Sequence, residues 1–175
     1  MADIVKNVQF IEEIRKIISF KFLTDGEILD LLAVSEIVDY SLEEPIVEEG
    51  DVSPFFFGII KGSVSISVRE AEGNQVYVNT LGAGDVFGEA GIFLSVKRTA
   101  TVTCMGDVSI IRIERKELVQ FIKKHPEAGN KILLVIIYSL LRKLRMVNQE
   151  LAFERRSDIP QEDIDTMVAN LFNET

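Results

Sequence analysis

Between residues 41 and 113 the chain is cut into short runs, and this regular interruption constrains the fold more than any other feature. IVEE, FFFGII, SVSISV, VYVNTL, ATVTC and VSIIRI are separated by EEGD, KGS, EAEGN, LGAGD and MGD. Glycine and acidic turns at this spacing reverse the chain after each strand. The region therefore reads as an antiparallel sandwich or barrel, not a βαβ sheet. Within FFFGII only alternate positions share a face, so Phe55, Phe56 and Phe57 are expected in the core rather than on a stacking platform.

The flanks change period. Ile4, Val8, Ile11, Ile14 and Ile18 recur at helical spacing, and Thr24 with Glu27 forms a capping box before EILDLLAVSEIV, which is read as helix. After the strands, ERKELVQFIKKHP is a short amphipathic helix that stops at His125-Pro126. A long helix then runs from about Pro126 to Arg156. In it Leu133, Ile137, Leu140, Leu144, Val147 and Leu151 follow a 4, 3, 4, 3, 4 spacing. That is a heptad seam, and it is expected to pair with a second copy of the chain. Four segments result: 1–40 N-terminal helical, 41–125 barrel, 126–156 long dimerisation helix, and 157–175 a short helical tail with Ile164, Val168 and Leu171 on one side.

Composition narrows the function. With 175 residues, 47% apolar and 27% charged, the chain has the make-up of a folded domain with a sizeable core. A net charge of −9 argues against non-specific binding to nucleic acid or an anionic membrane. A small anionic ligand at one local positive site stays compatible with it. Cys104 is the single cysteine, so no intramolecular disulfide forms, and it is read as an apolar core residue. The longest apolar run, ILLVIIYSLL, is half the length a membrane helix requires, and MADIVKNVQF has no signal-peptide core. Cytoplasm is the expected compartment. One histidine in the whole chain speaks against a metal-dependent barrel enzyme, and no nucleophile–base pair is visible.

One stretch carries chemistry. In GEAGIFLSVKRTATV, Glu89 follows Gly88, and Arg98 comes nine residues later in a mainly apolar segment. The small residues Gly88, Ala90 and Gly91 let the strand-like LGAGDVF turn into a short helix. Its first N–H groups point outward and favour an anion, most often a phosphate. Arg98 adds a forked, permanently charged donor. Glu89 is a poor neighbour for phosphate but a good acceptor for a sugar hydroxyl. A ligand with a phosphate close to a free ribose 2′-hydroxyl satisfies both, and a 3′,5′-cyclic nucleotide is such a ligand.

GDVFGEAGIFLSVKRTATV, residues 84–102, resembles the phosphate-binding cassette of the cyclic nucleotide-binding domain family, and EEGDVSPFFFGIIKGSVSISV resembles that family's earlier strands. The resemblance spans residues 23–153. It implies an α+β, mainly β fold: a double-stranded β-helix (jelly-roll) barrel, with N-terminal helices and a long C-terminal dimerisation helix. It further implies that Glu89 accepts from the ribose 2′-hydroxyl and Arg98 pairs with the cyclic phosphate. Phe87, Gly88, Ala90 and Ala100 would complete the cradle, with the Thr99 hydroxyl beside the phosphate or base. Ile66, Val78 and Asn79 would line the apolar side, and Arg142, Lys143, Arg145 or Asn148 would cap the base.

Ala90 and Lys97 depart from the family pattern, and Thr99 leaves the choice between cAMP and cGMP open, with a slight lean to cAMP. The expected function is a non-enzymatic sensor that binds cAMP or cGMP without metal or other cofactor. It would relay occupancy to the long helix, as a homodimer and toward a protein effector the sequence does not name. The alternatives are a non-binding dimeric scaffold of the same fold, or the sensor part of a longer transcription regulator. A helix-turn-helix does not fit in residues 157–175, and the tail is acidic.

Overall fold

The computed structural model describes residues 11–70, 73–90 and 97–157. The expected helical positions Ile4 and Val8 and the tail helix around Ile164 lie outside the described residues. The chain divides into two compact units, Met1–Ile136 and Ile137–Thr175.

In the first unit α1 (Ile11–Lys16), a 3-10 turn (Ile18–Phe20) and α2 (Asp25–Leu32) precede the strands. The capping box at α2 is real. Thr24 Oγ1 accepts from the Glu27 N–H at 3.3 Å, and a Glu27 carboxylate oxygen accepts from the Thr24 N–H at 2.7 Å.

Among the described residues eight strands follow: β1 (Glu36–Tyr40), β2 (Pro45–Val47), β3 (Phe55–Lys61), β4 (Ser63–Arg69), β5 (Gln75–Gly82), β6 (Val86–Phe87), β7 (Thr101–Cys104) and β8 (Val108–Glu114). They form two four-stranded sheets, in the orders β1-β8-β3-β6 and β2-β7-β4-β5, with every pairing antiparallel. This is the jelly-roll arrangement. Two further helices are α3 (Arg115–Lys124) and α4 (Pro126–Ser157).

One expectation is corrected. The helical reading of EILDLLAVSEIV ran on to Val38, but α2 ends at Leu32 and residues 36–40 are strand. Glu36 to Tyr40 pair in register with Arg112 to Val108 of β8. Arg112 also donates through both Nε and Nη2 to one Glu36 carboxylate oxygen, at 2.8 and 2.6 Å. Ile37, Val38 and Tyr40 suit a pleated surface, and a partner strand 70 residues away overrode the local helical spacing.

The core has two parts that share one sheet. Phe57, Ile59, Phe87, Val102, Cys104 and Ile110 fill the barrel between the sheets. Phe56, Ile60, Ile111 and Ile113 face the other way, onto Ile14, Ile17, Phe20, Leu31, Leu118, Phe121, Ile132 and Ile136. Strands β3 and β8 are thus buried on both faces, which is why they read as near-continuous apolar runs. β4, SVSISVR, alternates instead, with Val64 fully buried. Cys104 lies in the barrel core, where burial and then the Glu44 carboxylate push its thiol pKa up.

On the helical side Glu27 also receives Lys131 Nζ, 3.1 Å from each carboxylate oxygen. Burial works against the charged carboxylate. The hydrogen bonds from Thr24 and Lys131 outweigh it and hold the Glu27 pKa below its ordinary 4.5. A depressed acid contributes stability that is complete above its unfolded pKa and disappears as pH falls through the folded one. Glu27→Gln should therefore lower the melting temperature at pH 7 by roughly 2–4 °C. In melts repeated at progressively lower pH, the difference between the two proteins should shrink and vanish once the wild-type carboxyl is protonated in the folded state.

Candidate functional site

The site is assembled where β6 leaves the barrel. Phe87, buried and stacked on Phe57 with ring centroids 4.7 Å apart, anchors the end of that strand in the core. The chain then needs a sharp exit, and Gly88 supplies it at φ +80°. A Cβ there would lie 2.8 Å from Arg98 Nη1, 2.9 Å from the Phe55 carbonyl oxygen and 3.2 Å from the Phe57 ring. Glycine is therefore required both for the backbone conformation and for the close approach of Arg98. Glu89 comes next and is 7% exposed, and Ala90 is exposed and already helical. The rest of the expected short helix lies outside the described residues.

Arg98 returns to this exit and is held there from several sides. Its Nη2 donates to the Phe55 carbonyl at 2.6 Å and to Ser53 Oγ at 3.2 Å, and Nη1 reaches the Gly88 carbonyl at 3.4 Å. The Phe57 ring lies 5.5 Å from the guanidinium carbon. The backbone is clamped as well: the Arg98 N–H donates to Asp51 O and the Gly50 N–H to Arg98 O, each at 2.8 Å. Nε is buried and finds no acceptor among the described residues. Burial pushes the Arg98 pKa down and the Glu89 carboxylate pushes it up, with a net lowering. At neutral pH the group is still a cation.

The arrangement suits an oxyanion. A half-buried cation has one donor without an acceptor, next to a glycine exit whose following N–H groups begin a helix. A buried donor left unpaired costs about 1–3 kcal/mol, so an acceptor delivered to it is favoured. Arg98, Gly88 and Glu89 are brought close together.

Thr99 is exposed and Ala100 half-buried, immediately before β7. Ile66 of β4 pairs with Asn79 of β5 on one side and with Val102 of β7 on the other, and Val102 is four residues beyond Arg98. Val78 is the extra residue of a bulge between the Ile66–Asn79 and Ser67–Tyr77 pairs, and it is 54% exposed. Asn79 turns its amide oxygen to the Thr80 N–H at 2.8 Å. Arg142, Lys143, Arg145 and Asn148 all lie beyond Ile136, on the part of α4 in the second unit.

Sequence reasoning missed the holder of Arg98. Ser53 and Phe55 are more than 40 residues from it in the chain, and only the pairing of the β2–β3 loop with the segment before β7 brings them together. The EEGD turn was visible, but its target was not.

A family model described as the cyclic nucleotide-binding domain matches residues 37–125, half of the chain. The chain belongs to the cyclic nucleotide-binding domain family.

Among its relatives is a CRP-like cAMP-activated global transcriptional regulator of Mycobacterium tuberculosis, 31% identical over 123 residues, a stretch covering 70% of this chain and 53% of that one. The cAMP-activated global transcriptional regulator CRP of Haemophilus influenzae is 32% identical over 112 residues, covering 63% and 48%. The chain thus spans about half the length of the curated relatives it matches. Among solved structures, a cyclic nucleotide-binding domain from Methylobacillus flagellatus superposes with a TM-score of 0.77 at 20% identity, covering 84% of this chain and 85% of that one. The regulatory domain of Toxoplasma gondii PKA, solved with cAMP, gives 0.59 at 20% identity, covering 67% and 44%. These structural likenesses establish the shared fold.

Gly88→Ala tests how tightly the exit is drawn. The φ penalty alone is about 1–2 kcal/mol, and the added methyl meets a backbone carbonyl that cannot move freely. A melting temperature lowered by several degrees is expected, together with a changed environment for the Arg98 guanidinium in side-chain NMR.

Proposed function

We propose that the chain is a cyclic nucleotide-sensing regulatory module, with cAMP preferred over cGMP and no catalytic step of its own. Arg98 pairs with the cyclic phosphate, and Glu89 accepts from the ribose 2′-hydroxyl. N–H groups around Gly88, Ala90 and Ala100 complete the cradle, with the Thr99 hydroxyl alongside. Ile66, Val78 and Asn79 border the sugar and base. The observation that carries this reading is Arg98 itself: a cation drawn out of water, coupled to Glu89, with a buried donor facing no acceptor among the described residues. The lean to cAMP is supported by relatives whose names describe them as cAMP-activated.

A ligand shifts a conformational equilibrium only through contacts that differ between the states. Closure of the phosphate cradle supplies such contacts, and the response passes to α3 and then to α4. Within the first unit these helices share one apolar cluster through Leu118, Phe121, Ala128, Ile132 and Ile136. Farther along α4, Ile137, Leu140, Leu144, Val147 and Leu151 are each 41% to 57% exposed. Apolar side chains repeated at heptad spacing and left in water favour association with a second copy. No helix among the described residues is long and apolar enough to cross a membrane.

Thermal unfolding of wild type and Arg98→Ala with cAMP, cGMP and 5′-AMP tests the binding step. A specific ligand at 100 times its dissociation constant adds about 2.7 kcal/mol, a rise of roughly 5–10 °C. Arg98→Ala should lose affinity by about tenfold to a hundredfold. Absence of any shift in the wild type would overturn the sensor reading and leave a non-binding scaffold. For the assembly step, Leu144→Glu should convert a dimer to a monomer in sedimentation velocity, and an unchanged sedimentation coefficient would remove α4 as the interface.

A further inference from the structure

The geometry points to Ser53 as a positioning residue of the phosphate site, one that sets the rotation of the Arg98 guanidinium so that its free edge faces the ligand. The assignment rests on the cyclic nucleotide reading given above and deepens it. Ser53 lies in the loop between β2 and β3, is only half-buried, and belongs to neither apolar cluster. Its hydroxyl oxygen accepts from Arg98 Nη2 at 3.2 Å, while the Phe55 carbonyl accepts from the same nitrogen at 2.6 Å.

Nη2 carries two N–H groups, and these two acceptors match them in number. With the Phe57 ring 5.5 Å from the guanidinium carbon, the plane of the fork is restricted as well. Among the described residues what stays uncommitted is the Nε–H, which has no acceptor, and the remaining capacity of Nη1, whose acceptor there, the Gly88 carbonyl, is 3.4 Å away. The protein therefore holds one corner of the guanidinium and leaves other N–H donors for a phosphate.

The Phe55 carbonyl is backbone and cannot be removed by substitution. Ser53 is the adjustable half of the holder. Without its hydroxyl one Nη2 N–H loses its partner and the fork can turn about Nε–Cζ. The charge at the site persists, but its direction is no longer set. A purely structural serine would behave otherwise: its loss would affect the loop whether or not residue 98 carries a fork.

The test has a ligand-free arm and a ligand arm. In nitrogen-15 side-chain NMR of the protein alone, the Arg98 guanidinium should show slowed rotation about Nε–Cζ in wild type and in Ser53→Thr, which keeps the hydroxyl. Rotation should be freed in Ser53→Ala. Equal rotation in wild type and Ser53→Ala would overturn the assignment without any reference to ligand. In calorimetric titration with cAMP and cGMP, Ser53→Ala should weaken binding by about three- to tenfold. It should add less than about 1.5-fold in an Arg98→Lys background, where no fork exists to orient. A loss of the same size in both backgrounds would make Ser53 a structural residue and overturn the proposal. A wild type that binds neither nucleotide would take down the sensor reading and this role with it, even if the NMR arm showed the restraint.

Discussion

Strand β3 is buried on both of its faces, and the other elements of the first unit take their places from that constraint. Phe56 points into the helical cluster and Phe57 into the barrel, so a single strand fastens the helices to one sheet and that sheet to the other. Gly58 allows this on the helical side, since a Cβ there would already meet Ile17 at 3.0 Å and Ile111 at 3.1 Å. The same strand reaches the site three times: through the Phe55 carbonyl that accepts from Arg98, through the Phe57 ring beside the guanidinium, and through the pairing of Phe57 with Phe87 that delivers Gly88. Interiors packed this closely transmit displacement rather than absorb it. Arg98 is thus in contact with the one strand that both cores share.

Electrostatics reconciles the proposed anion site with a net charge of −9. At moderate ionic strength exposed charges act over about 8–10 Å, so the acidic surface sets a diffuse background while one partly buried arginine dominates its own surroundings. The backbone carbonyls of Phe55 and Gly88 and the Ser53 hydroxyl hold that arginine with neutral partners. A direct carboxylate partner would satisfy the cation and compete with a ligand phosphate. Neutral acceptors orient the cation without neutralising it. Glu89 acts on Arg98 as a nearby charge that supports the cationic form.

The strands were legible where burial wrote a period into the residues. FFFGII and VSIIRI are continuous because β3 and β8 are covered on both faces, and SVSISV alternates because β4 is not. The capping box at Thr24 was legible because it is a local hydrogen-bond exchange within four residues. β1 was misread for the opposite reason. Its strand state is set by pairing with β8 about seventy residues on, while its local spacing continues the helix before it. At the site, Gly88, Glu89 and Arg98 stand out because opposite charges beside small residues in an apolar stretch are costly without a purpose.

By itself, then, the sequence determined the class of the fold, the turn at Gly88 and the placing of a cation, Arg98, among small and apolar residues. Each of these depends on residues close together in the chain or on a period repeated along it. Tertiary structure alone decided which face of Arg98 is committed and which is free. That depends on where a loop 45 residues earlier in the chain is carried by antiparallel pairing, with the Arg98 N–H on Asp51 and its carbonyl on Gly50. Register between distant segments is an outcome of packing the whole core at once, and no local pattern encodes it.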